Sequence, residues 1–325
     1  MTGVRVIGAG VAGLTVATEL MSRGRDVTII DRAPRPGPHG CSWWAGGMLA
    51  PFCEGETAEE PVVRLGMEAA DWWERQGVIL SRHGTLVIVL DRDRRELDRF
   101  ARRTSGHEFL DRKGIAAVEP DLEGRFDRAL MFRDEAHLDP RAALRHLHER
   151  LGALGATFIT GEASPDGPAV DCRGLAARDV LPDLRGVKGE MAIVHAPDVR
   201  LTRPVRLLHP RFPLYVVPRA NGQFMIGATQ IESCDRRARV RSVLELLSAL
   251  YALHPAFGEA ELVEIGVDAR PAFPDNLPRL RRRGETICVN GLFRHGFLLA
   301  PAMARMTADL ICDGKIPEVM DEDHS

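Results

Sequence analysis

No stretch of this 325-residue chain approaches the ~18 uninterrupted apolar residues that a membrane-spanning helix needs. The six cysteines (Cys41, Cys53, Cys172, Cys234, Cys288 and Cys312) include no CxxC pair and no close, even spacing. Neither a zinc site nor a disulfide framework is suggested. No sign of charge dominates: 43 basic residues stand against 46 acidic ones, for a net charge of −3. That gives no footprint for nucleic acid, and the clusters Arg92-Asp93-Arg94-Arg95, Arg236-Arg237 and Arg281-Arg282-Arg283 read as solvated surface. Tyrosine occurs only twice. There is no internal repeat, no low-complexity segment, and no basic leader or cleavable apolar segment before the first strand, so a reducing cytoplasm is the expected location. No Ser-His-Asp set, paired catalytic carboxylates or metal ligands stand out, and no metal is expected.

What is present is concentrated near the start. Val4-Arg5-Val6-Ile7 is an apolar run ending in Gly8-Ala9-Gly10-Val11-Ala12-Gly13. An amphipathic stretch follows, with Leu14, Ala17, Leu20 and Met21 at helical spacing. Val27-Thr28-Ile29-Ile30 then forms a second run, closed by Asp31 and Arg32. Strand, glycine turn, helix, strand and acid in this order make a dinucleotide-binding βαβ unit. Gly8 permits the tight turn, Gly10 lets backbone approach a pyrophosphate, and Gly13 lets the helix close on the strand. The helix start at Val11 and Ala12 offers N–H groups and a positive dipole end to the phosphates. Asp31 can accept hydrogen bonds from the adenosine ribose. This unit alone does not choose between FAD and NAD(P).

Further along, Ser42-Trp43-Trp44-Ala45-Gly46-Gly47-Met48-Leu49-Ala50-Pro51 suits backbone running against a flat ligand, or equally a glycine turn with packed tryptophans. Helices are expected over Glu68–Glu74, Asp91–Arg103, from Pro140 with Asp139 as N-cap, over Arg241–His254, and at the end of the chain to about Gly314. Ile115 to Pro120 reads as a short apolar piece closed by proline. Residues 189–229 alternate strands and turns, with a hairpin at Asn221-Gly222. The expected fold is α/β plus α+β. A Rossmann-like βαβ domain of residues 1–82, 137–187 and 265–318 is interleaved with an antiparallel-sheet substrate domain of residues 83–136 and 188–264. Residues 319–325 are expected to be a disordered tail.

The motifs GAGVAGL at Gly8–Leu14, SWWAGGMLAP at Ser42–Pro51, LYVVPR at Leu214–Arg219, MIGAT at Met225–Thr229, ARP at Ala269–Pro271 and GLFRHGFLLAP at Gly291–Pro301 together resemble the glycine oxidases of thiamine biosynthesis. These are flavoenzymes of the D-amino-acid oxidase group, and the motifs stand in family order from Gly8 to Pro301. The resemblance implies a glutathione-reductase-type FAD domain. Non-covalent FAD is expected, because related sarcosine oxidases tether the flavin through a cysteine near where Arg270 falls. It makes Ser42, Ala45, Gly46, Gly47 and Met48 flavin-lining residues. It also places Gly291, Arg294, His295, Gly296, Phe297 and Leu298 at the flavin, where a helix N-terminus would stabilise the charge that gathers on the pyrimidine edge on reduction.

By the same resemblance, Arg294 and Arg270 hold the substrate carboxylate through planar guanidinium forks, aided by Tyr215. His295 is expected to be structural rather than a base. Gln230 stands where some members carry methionine at the pocket wall, and Cys172–Arg178 replaces an ATGAWS-like segment. The implied activity is oxidative deamination of glycine to the imine or glyoxylate with O2 reduced to H2O2, chemistry that the cofactor carries. It would supply the thiazole branch of thiamine biosynthesis, with hand-off to thiazole synthase and a homo-oligomeric assembly. The alternatives are an oxidase of sarcosine or small D-amino acids, and a non-catalytic FAD-binding subunit of a larger amine dehydrogenase.

Overall fold

The computed structural model of the chain describes residues 3–209 and 214–321. β1 (Val4–Ile7), α1 (Val11–Ser22) and β2 (Val27–Asp31) form the opening unit. β1 runs parallel to β2, with Val6 opposite Ile29. On its other side it pairs in parallel with Ala169–Asp171, which pairs in parallel with Thr286–Asn290. Thr157–Thr160 joins the β2 edge, while Arg279–Arg283 and Met320–Asp321 complete a seven-stranded sheet at the other.

Parallel strands need helices over their faces. α1 packs beside the long helix Gly296–Asp313, which is buried nearly all round from Phe297 to Ala304. Pro301 lies inside that helix and has no N–H to offer the Phe297 carbonyl one turn earlier. Trp73, fully buried, supplies the missing donor: its Nε1 reaches Phe297 O at 2.9 Å. Helix Pro140–Ala153 is capped by Asp139, whose carboxylate accepts from the N–H groups of Arg141 (2.8 Å) and Ala142 (3.1 Å).

The second sheet has nine strands. Its spine is the antiparallel pair Arg185–His195 and Glu261–Ala272. Next comes the hairpin Leu214–Pro218 and Gln223–Gly227, whose turn holds Asn221 and Gly222 at φ 59° and 68°. One pairing within this sheet is parallel, Val205–Leu208 against Thr85–Val89. Helix Val240–Leu253 covers it, burying Leu246, Leu250 and Leu253 against Val194, Val216 and Phe224. Met48–Leu49, Ala136–Leu138 and Leu80–Ser81 form a small three-stranded sheet.

Two expectations need correction, and the short apolar piece at Ile115 gains a definite form. Ile115 belongs to a helix, Arg112–Val118, because Asp111 accepts the Gly114 N–H (2.8 Å) and caps it. The supposed tail begins in the sheet: Met320 pairs with Leu280 and Asp321 with Arg281, and the Asp321 carboxylate accepts from Arg281 Nε at 3.0 Å. Residues 322–325 lie outside the described residues. The boundary at 265 falls inside the Glu261–Ala272 strand, which stays with the nine-stranded sheet to Ala272 because it is paired along its length with Arg185–His195.

Candidate active site

A cavity of about 1350 Å³ is lined by residues of both large sheets, from Gly8 and Gly10 at one end to Tyr215 and Arg270 at the other. The glycine turn shapes the first end. Gly8 has φ 104°, and a Cβ there would sit 2.6 Å from Cys172 O; a Cβ on Gly13 would sit 1.8 Å from Gly8 O. Both positions are closed by protein, and Gly13 does not line the cavity. Gly10 differs, since the nearest protein atom to a Cβ would be Ser42 Oγ at 3.5 Å. The space beside it belongs to the cavity.

Gly10 gives α1 no side-chain cap. The Val11 N–H donates to Ser42 Oγ (3.2 Å), and Ala12 lines the same mouth. Asp31 accepts the Ala9 N–H on Oδ2 (2.7 Å) and the Ala33 N–H on Oδ1 (3.0 Å). A carboxylate has about four acceptor sites, so capacity remains for ribose hydroxyls. Arg32 stands at the rim, donating to His39 O at 2.8 Å. The cradle and its donors fit a dinucleotide.

Ala45, Gly46, Gly47 and Met48 line the middle of the cavity. Gly47 needs its φ of 71°, and a Cβ there would meet Leu138 O at 2.3 Å. Arg219 ties this loop down by donating to Gly46 O (2.7 Å) and Leu138 O (3.3 Å). Burial lowers its pKa to about 10. From the C-terminal side, Gly291 turns the chain at φ 78° against the Phe273 ring without lining the cavity. Gly296, Phe297 and Leu298, the first turn of the long helix, do line it. First-turn N–H groups have no partner within their helix.

The far end holds Tyr215, Arg270 and Arg294. A Cβ at Gly46 would come 3.0 Å from the Tyr215 ring, and one at Gly227 would come 2.6 Å from its hydroxyl. These two glycines make the slot for the ring, and burial raises the phenol's pKa. Arg270 fits because Gly189 has no side chain; a Cβ there would lie 2.1 Å from Nη2. The Arg270 guanidinium donates to Thr229 O at 3.3 Å. Burial lowers its pKa, and among the described residues no carboxylate is within ion-pair distance to offset that.

Arg294 is differently placed. Its Nη2 lies 2.8 Å from Glu54 Oε2 and donates to Thr57 Oγ1, while Nε lies 3.1 Å from His295 Nε2. Glu54 also pairs with Arg206, and His295 Nε2 lies 2.9 Å from Glu54 Oε2. Burial opposes the charge on Glu54, but Arg294 and Arg206 outweigh it and hold the carboxyl well below the usual range. His295 is buried, and that burial lowers its pKa despite Glu54.

Arg206, Glu54 and Thr57 are absent from the sequence-derived site. Their signals were faint: Arg206 interrupts an apolar strand in which Val205 and Leu207 face the core, and Glu54 is an acid directly after the GGMLAP segment. Behind them sits Glu135. Its Oε1 accepts the Cys53 N–H at 2.7 Å, Oε2 has no partner, and burial pushes its pKa up to about 7. A carboxyl raised in this way favours folding while protonated, and that contribution is lost as pH climbs from the unfolded value of 4.5 through 7. Glu135→Gln should therefore stabilise the protein by up to roughly 3 kcal/mol at about pH 8.5 and by much less at about pH 5. Melting curves at both values check this, and equal shifts would contradict it.

Two helix starts facing one cavity, the first on a glycine turn, mark a dinucleotide-binding protein built on two sheets. The family model for FAD dependent oxidoreductases (DAO) matches residues 4–310, and the chain belongs to that family. FAD is thus the cofactor, which settles the choice that the βαβ unit leaves open. A thiamine biosynthesis oxidoreductase, ThiO, of Rhizobium etli is 58% identical over 308 residues, covering 93% of this chain and 94% of that one. A bifunctional ThiO/ThiG protein of Trichormus variabilis is 26% identical over 359 residues, covering 98% of this chain but 54% of its own length. The crystal structure of glycine oxidase from Geobacillus kaustophilus has the same fold, with a TM-score of 0.80 at 22% identity, covering 97% of this chain and 95% of that one.

Proposed function

We propose that this protein oxidatively deaminates glycine, with water and O2 consumed and glyoxylate, ammonia and H2O2 released, and that it supplies the thiazole branch of thiamine biosynthesis. The supporting observation is Arg270, a buried guanidinium with no carboxylate partner among the described residues, in the same cavity as the dinucleotide cradle. Such a group is prepared for a substrate carboxylate. Arg270 anchors that carboxylate, Tyr215 donates its hydroxyl beside it, and Arg294 closes the remaining wall. Bound flavin supplies the acceptor for the two electrons and the hydrogen leaving the α-carbon. The first-turn N–H groups of Gly296, Phe297 and Leu298 stabilise negative charge on it. Gly8, Gly10, Val11, Ala12, Asp31 and Arg32 hold the adenine-dinucleotide half, while Ser42 and Ala45–Met48 line the ring.

The decisive observation is the visible spectrum of the purified holoprotein. Glycine added without oxygen should bleach the flavin, and air should restore it. An oxidised spectrum that glycine leaves untouched overturns the proposal. Bleaching by sarcosine or D-alanine instead would move the activity to those amines, and bleaching by no amine would leave a non-catalytic flavin subunit.

The fusion of ThiO to a second unit in the Trichormus chain supports hand-off of the product to thiazole synthase. Val240, Leu244 and Tyr251, on one side of a single helix and 85%, 63% and 59% exposed, support homo-oligomer formation. The six free cysteines support a reducing cytoplasm, and no helix among the described residues is long and apolar enough to cross a membrane.

A further inference from the structure

We propose that Glu54 sets the charge specificity of the pocket. Its carboxylate occupies the place a second substrate carboxylate would take, and so restricts the site to amino acids bearing one. The inference rests on the proposal that the cavity receives an amino acid.

Of the arginines that line the cavity, three, Arg206, Arg270 and Arg294, act electrostatically on Tyr215 at its far end. A site for one carboxylate needs fewer. Arg270 has only the Thr229 carbonyl for a partner among the described residues. The other two converge on Glu54, which takes Arg294, Arg206 and His295 at once. Glu54 is 8% exposed, so this is an enclosed cluster and not a surface ion pair. Its position is fixed from behind. It ends the short helix Pro51–Glu54, where its own N–H donates to Ala50 O (3.1 Å) and the preceding Cys53 N–H donates to Glu135 Oε1 (2.7 Å).

Glu54 engages both cations. Arg206 Nε is buried and makes no hydrogen bond, and neither does His295 Nδ1. Both guanidiniums line the cavity, so Arg206 and Arg294 together could hold an external anion only if Glu54 were not charged. With Glu54 in place both guanidiniums already have a carboxylate partner, and a ligand carboxylate entering this corner must compete with it for them. Specificity then comes from this competing carboxylate as much as from the attractive Arg270. Glycine carries its one carboxylate to Arg270 and brings no second anion to Glu54. Iminodiacetate or D-aspartate would.

Glu54→Gln keeps the shape and removes the charge. On the holoenzyme, binding of acetate and malonate is followed by flavin difference spectra, and kcat/KM is measured for glycine and iminodiacetate. Wild type should bind malonate at least about tenfold more weakly than acetate and oxidise iminodiacetate at least about tenfold less efficiently than glycine. In Glu54→Gln both ratios should move toward the dicarboxylate by about tenfold or more, whereas Glu54→Asp, which keeps the charge, should stay within about threefold of wild type. Unchanged ratios in Glu54→Gln overturn the proposal. So does a wild-type protein that binds malonate as well as acetate, a result that needs no variant to fold. The binding ratio involves no turnover, so it tests Glu54 even if glycine proves not to be the substrate.

Discussion

Replacing Arg270 with alanine is expected to leave FAD bound and to cost about 2–5 kcal/mol in kcat/KM for glycine, roughly 30- to 5,000-fold. The loss should fall mainly on carboxylate binding, so acetate should cease to perturb the flavin spectrum. The size of the effect follows from what the side chain does without substrate. Arg294 already neutralises Glu54 and touches Thr57, whereas Arg270 has a carbonyl at 3.3 Å and no carboxylate among the described residues. Arg294→Ala should therefore be the milder of the two for substrate affinity. Arg270→Lys should recover only part of the loss, because the slot over Gly189 receives a planar fork and an ammonium presents a single point charge. Unchanged glycine kinetics and acetate binding in Arg270→Ala would remove it from the substrate site.

The glycine turn gives the second large effect, and its two halves should fail in different ways. Gly10→Val should fold and lose FAD, by on the order of 4 kcal/mol or a thousandfold in affinity, because the new side chain enters the cavity where nothing but Ser42 Oγ is near. Gly13→Val should not fold, because even a Cβ would lie 1.8 Å from Gly8 O and would push α1 off β1. Circular dichroism separates the cases: native signal without flavin for the first, and loss of structure or of soluble protein for the second. A yellow, stable Gly10→Val protein would contradict the placement of the pyrophosphate.

The βαβ unit was legible because each of its parts is local. Glycines sit where backbone must approach backbone, and the apolar runs are short and bounded. The cap at Asp139 was legible for the same reason. What escaped was set by distant pairing. Nothing near Met320 announces that it will lie beside Leu280, and the strand that crosses residue 265 stays with one sheet only because a partner upstream, with Ala192 opposite Ile265, matches its length. The Glu54 cluster escaped on the same account. Its members come from a short helix, a strand of the second sheet and the last turn before the final helix, and only folding gives them a common purpose. Arg294 was singled out through resemblance, and its resident carboxylate could be seen only in three dimensions.

The order of strands in the first sheet also governs when the protein can be born as a flavoprotein. β1 leaves the ribosome before its neighbours on one side, residues 169–171 and then 286–290, and before the helix that packs on α1, which begins at Gly296. A growing chain must keep its nucleotide-binding turn without these supports until Gly296 and the helix after it have been translated. Cofactor loading therefore follows the making of the Gly296–Asp313 helix, and the chain short of that point is the form more exposed to aggregation and proteolysis.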